Sequence, residues 1–171
     1  MTQTTRTATI GVPDGPIRSM ALDLPAGWSE VPSPDAVLAA FSDGRSLNPG
    51  IETNAVLTAV QLPEGTRLRG WQTLIRDTQL AALPDLQVLD DRALDEGDES
   101  EQWYTATVMT DEHGVTILTR RWSRLLPGLG VTLTLTTLPL VDAEHGKALD
   151  ALAASWAVTA PSPEETSNDH P

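Results

Sequence analysis

A chain of 171 residues that is 40% hydrophobic is long enough for one domain with a substantial core, since domains commonly run ~100–200 residues and a chain of this size buries roughly 70% of its unfolded surface. It contains no cysteine, which excludes disulfides, thiolate metal sites and a cysteine nucleophile. Eleven basic residues against 24 acidic ones give a net charge of −13, a field that repels a phosphate backbone and an anionic membrane surface and so argues against nucleic acid as a partner.

In chain order, residues 1–15 read as a flexible arm, polar and then crowded with Gly11, Pro13 and Gly15. Ile17 to Leu24 is the first expected strand, with Met20, Leu22 and Leu24 on one face. Pro25-Ala26-Gly27-Trp28 stops it and leaves Trp28 to fold back over a sheet. Ala36 to Phe41 suits either one or two helical turns or a short strand, and Ser42 to Thr53, with Asp43-Gly44 and Asn48-Pro49-Gly50, reads as a loop. Asn54 to Leu62 is the second strand, ended by Pro63.

Leu68 to Leu83 carries Leu68, Trp71, Leu74, Ile75, Thr78 and Ala82 at helical spacing, with Thr66 as N-cap and Pro84 as stop. Leu86 to Leu94 reads as a third strand. Trp103 to Met109 and Val115 to Leu126 are the fourth and fifth, joined by a hairpin turn at Asp111-Glu112-His113-Gly114. The sixth is the clearest element: in Gly130 to Leu138, Val131, Leu133 and Leu135 alternate with Thr132, Thr134 and Thr136, the mark of a half-buried strand. Asp142 then caps a closing helix whose stripe is His145, Leu149, Leu152, Ala153 and Trp156. The expected organisation is one α+β domain over residues 16–160 and a disordered tail over 161–171. Its greasy sheet side is roofed by the segments bearing Trp71 and Trp156.

No recognisable catalytic motif emerges. There is no nucleophile elbow of the G-x-S-x-G form and no nucleotide-binding glycine pattern. His113, His145 and His170 lack the paired spacing of metal ligands or a triad, and read as exposed, non-catalytic residues. No metal site and no cofactor are expected. The acidic run Asp90 to Glu101 lacks the spacing of a calcium loop and reads as a solvated hairpin connection. Arg120, Trp122 and Arg124 share one strand face, with Arg121 on the other. That trio is the candidate binding site: arginines for an anion or acidic peptide beside an aromatic platform. The alternative is that these arginines pair with acids such as Asp91 or Glu101 and pack over the sheet. Among five tryptophans, Trp28, Trp71 and Trp156 lie where a core closes; Trp103 and Trp122 suit a core or a partner-binding surface.

Leu24-Pro25-Ala26-Gly27-Trp28, followed by Asn54 to Pro63, a Trp-bearing helix and a run of antiparallel strands, resembles the LpqN/LpqT proteins of actinobacteria. These are similar in fold to Mog1 and PsbP. The resemblance covers about Pro16 to Val158. It implies an α/β/α sandwich on a mostly antiparallel sheet, with about six strands, and a non-enzymatic module that works by binding another protein, assisting its assembly or export. The lipoproteins of that group carry a signal peptide and a lipidated cysteine. Neither shows in this sequence, nor does a run of ~18 apolar residues, so a cytoplasmic place with no direct membrane insertion is expected. The second functional reading is a small-ligand-binding domain or unrecognised enzyme with a pocket between sheet and helix. A third is self-association through a sheet edge.

Overall fold

A computed structural model describes residues 5–12, 17, 19–48, 51–83, 85–95 and 102–159. The strands are β1 (Arg6–Gly11), β2 (Ser19–Leu24), β3 (Ser29–Val31), β4 (Ala39–Asn48), β5 (Ile51–Gln61), β6 (Gln87–Ala93), β7 (Gln102–Thr110), β8 (Thr116–Leu126), β9 (Leu129–Thr137) and β10 (Ala157–Thr159). Helix α1 (Leu68–Ile75) continues as a π-helical turn, Arg76–Leu80, and α2 spans Pro139–Ser155. Among the described residues no helix is long and apolar enough to cross a membrane.

Seven strands form one sheet in the order β3-β4-β5-β9-β8-β7-β6, and three form a second in the order β1-β2-β10. Every pairing is antiparallel. The alternating stretch in β9 is the centre of the large sheet: Leu133 pairs with Leu57 on one side and Trp122 on the other. Val131, Leu133 and Leu135 are fully buried with Met20, Leu22 and Leu24 of β2 and with Leu149, Leu152, Ala153 and Trp156 at the end of α2. One apolar core therefore lies between the large sheet and a layer made of α2 and the small sheet. The opposite face carries α1, where Leu68, Trp71 and Ile75 pack with Trp103. The architecture is the α+β sandwich expected from sequence, with helices on both faces.

Several expectations need correction. Residues Arg6–Gly11 of the supposed arm form β1, in register with β2 from Arg6–Leu24 to Gly11–Ser19. Its threonines are β-branched strand formers, and Ala8 and Ile10 pack on the core. Much of the supposed loop 42–53 is strand. Asp43-Gly44 forms an irregularity inside β4, where Gly44 adopts φ +66° and donates its backbone N–H to Ser42 Oγ at 3.0 Å. Thr66 does not cap α1; its hydroxyl donates to the Pro63 carbonyl at 2.6 Å, and Arg67 takes the cap position. The second helix starts at Pro139 rather than at Asp142, because proline's fixed φ suits the first helical position. His145 is exposed, as read for the histidines, so the stripe in which it was placed is headed by buried Val141 instead. Trp71 and Trp156 are both buried, but on opposite faces of the sheet. The tail 161–171, His170, Glu101 and most of the acidic run lie outside the described residues.

Candidate functional site

Strand β8 brings Arg120, Trp122 and Arg124 onto the face shared with Leu135, Leu133 and Val131 of β9, which they directly oppose. Across the next ladder they oppose Ala106, Tyr104 and Gln102 of β7. Beyond those, Asp90 and Arg92 of the edge strand β6 complete the row. The sheet is wider than the layer covering it. Over β9 the face is aliphatic and closed; over β8, β7 and β6 it becomes aromatic and charged. The end of α2, through Asp150, Ala153, Ala154 and Trp156, forms the opposing wall, and the space between is a cleft of about 620 Å3.

Arg120 ties that wall to the floor. Its Nε donates to the Tyr104 hydroxyl at 3.2 Å, and its two terminal nitrogens donate to Asp142 at 3.1 Å and to Asp150. Burial alone would lower its pKa, but the hydrogen bonds to Asp150 and Tyr104 outweigh that and raise it above the ordinary arginine value. Its charge is spent on helix–sheet attachment. The Tyr104 and Trp122 rings stack obliquely, centroids 5.2 Å apart at 51°, which fixes two aromatic surfaces side by side.

Arg124 is held differently. It donates from Nη2 to the Trp156 carbonyl at 2.9 Å, and its guanidinium lies 4.5 Å from the centroid of the Trp156 ring. Among the described residues no carboxylate lies within ion-pair distance of it. Among the described residues its Nε and the Trp156 indole N–H are buried without a hydrogen-bond partner. Burial lowers its pKa, a shift that Asp95 only partly opposes.

The three residues singled out from sequence thus meet in one cleft. Acid pairing holds for Arg120, but its partners come from α2. Asp91 lies on the other face, where it accepts from Arg76 at 2.6 Å, Trp103 Nε1 at 2.6 Å and Thr105 at 3.1 Å. Arg121 is on that face too, donating to Gln72 Oε1 at 2.9 Å; burial lowers its pKa, with Asp91 opposing. Sequence reading did not single out Tyr104, Asp90, Arg92 or Asp150. Tyr104 had only part of a signal: counting outward from the turn at Asp111–Gly114 sets it against Arg121, and the Asp111 N–H to Val115 carbonyl bond moves the register by one, to Trp122. Asp150 had none, since the placement of α2 is tertiary.

A second cleft of about 150 Å3 lies between the Pro25-Ala26-Gly27-Trp28 turn and α2, beside His145. His145 and His113 are exposed, and their Nε2 atoms lie 3.9 and 3.6 Å from the carboxylates of their chain neighbours Glu144 and Glu112. Among the described residues no group of three or more such side chains could hold a metal ion.

Solved structures share this fold, and the chain has the Mog1/PsbP-like fold. The LpqN structure of Mycobacterium tuberculosis, a protein involved in cell envelope biogenesis, superposes with a TM-score of 0.66 at 14% identity, over 91% of each chain. Cyanobacterial PsbP (CyanoP) of Synechocystis sp. PCC 6803 gives 0.57 at 15% identity, over 89% of this chain and 92% of that one. A Pseudomonas aeruginosa protein of unknown function gives 0.53 at 12% identity, over 95% and 87%. No protein-family model and no curated protein sequence matches the chain.

Proposed function

We propose that this protein is a non-enzymatic accessory module of the LpqN/LpqT group that binds another protein through the cleft between β8 and α2, and so assists its assembly or export. The observation that carries this reading is the floor of the cleft. Tyr104, Trp122 and Arg124 are fixed in place by a ring contact, a hydrogen bond to the chain and the Arg120 clamp, a preorganised mixture of aromatic and guanidinium groups of the kind that dominates protein recognition. The involvement of LpqN in cell envelope biogenesis is consistent with such a role.

Ala154, an exposed residue of α2, lines the cleft, and a photo-crosslinking amino acid placed there tests the reading. With native-host extract it is expected to give one dominant protein adduct, absent when the crosslinker replaces exposed Gln79 near the opposite face and lost in Trp122→Ala. Equal labelling at both positions, or adducts insensitive to Trp122, contradicts it. The cleft volume also falls in the range of small-molecule sites, roughly 300–1,000 Å3. A small molecule retained through native mass spectrometry, and lost in Trp122→Ala, would favour the ligand-binding reading instead.

A further inference from the structure

The charges of the cleft do not cancel equally. Among the described residues its two lining acids are already occupied: Asp90 accepts from Arg92 at 3.0 Å and Asp150 from Arg120. Two of its three arginines are occupied by the same contacts, and Arg120 also engages Asp142. Among the described residues Arg124 is the cation of the cleft with no carboxylate within ion-pair distance, the charge of Asp95 acting on it only from further off. Its guanidinium is fixed over Trp156 and lies next to an aromatic pair. A cationic ligand would find no unpaired acid among the described lining residues. A polyphosphate, which needs several cations, would meet one, against a molecular charge of −13. A single carboxylate fits, because a planar guanidinium receives it through parallel hydrogen bonds.

Spacing adds a second requirement. Arg124 and Trp122 are alternate residues of one strand, roughly 7 Å apart along it. Alternate side chains of an extended peptide have that same separation. We propose that the partner of this cleft presents an extended segment with an acidic residue two positions from an aromatic or branched aliphatic one, the carboxylate meeting Arg124 and the apolar side chain meeting Trp122 and Tyr104. This deepens the protein-binding reading above and rests on it.

A phage-displayed library of random heptapeptides, panned on the full chain, tests it. Wild-type protein is expected to enrich Asp or Glu two positions from Phe, Trp, Leu or Ile. Arg124→Gln is expected to abolish the acidic preference while keeping the apolar one, and to weaken a selected acidic peptide by roughly 10- to 100-fold, the loss of charge-assisted hydrogen bonds. Arg124→Lys, which keeps the charge and serves as the control for folding, is expected to retain part of that affinity. Selection of neutral or basic peptides whose binding Trp122→Ala abolishes would overturn the carboxylate assignment and leave the cleft as the binding site. Acidic peptides bound equally well by Arg124→Gln would also overturn it. Peptides indifferent to both Arg124 and Trp122, or none selected, would overturn the inference together with the reading beneath it.

Discussion

Arg120 and Trp156 show how single side chains set up the cleft. Arg120 is mostly buried, with 13% of its side chain exposed, and it satisfies two carboxylates and a phenol at once. Arg120→Met removes these bonds and leaves Asp142 facing the sheet without its partner. A cost of about 2 kcal/mol is expected, below the full figure for a buried pair because Asp150 is largely in water. Urea denaturation measures it, and a loss under 0.5 kcal/mol would show that the clamp adds nothing. Trp156 contributes area rather than a hydrogen bond, since its buried indole N–H has no partner among the described residues. Trp156→Phe is therefore expected to cost less than about 1.5 kcal/mol, and Trp156→Ala about 3–5 kcal/mol. Similar losses for the two would mean that the nitrogen matters after all.

Among the elements, β9 and α1 are coupled through one glycine. A Cβ on Gly130 would lie 2.5 Å from the Trp71 ring, so the helix can lie this close only because the strand has no side chain there. Gly130→Ala is expected to destabilise by about 1–3 kcal/mol through overpacking, read as a fall in the unfolding midpoint; an unchanged midpoint would mean that α1 yields freely. Neither partner suggests the other in the sequence, and the same limit governs what else was legible. The β7–β8–β9 meander could be read because alternation and turn residues agree in it, and that agreement put Arg120, Trp122 and Arg124 on one face. Strand β1 was missed because Thr7 and Thr9 count as polar although their branching favours a strand. The outer part of β4 was missed because Asp43-Gly44, a turn signal, here marks an irregularity within the strand. The wall of the cleft was hidden because only packing decides that Asp150 comes to stand over Arg120.

At the scale of the molecule, sheet edges and net charge bear on association. The edge strand β6 has an irregular register between Val88 and Asp90, then Asp90, Asp91 and Arg92 in succession, and β3 is only three residues long. Bulged, charged or short edges resist strand addition, and a charge of −13 sets copies apart. The chain is expected to sediment as a monomer at physiological salt; a stable dimer would return edge pairing as the explanation. The two faces of the large sheet then divide the work: α1 closes one with Trp71 and Trp103, while the other runs from closed core into the open cleft beneath Trp156. Because tryptophans mark both faces, indole N–H resonances of 15N-labelled protein report on each. Addition of the protein captured at Ala154, or of a selected acidic peptide, is expected to shift the signals of Trp122 and Trp156 and to leave those of Trp71 and Trp103 in place. Shifts confined to Trp71 and Trp103 would contradict the account and move the binding surface to the opposite face.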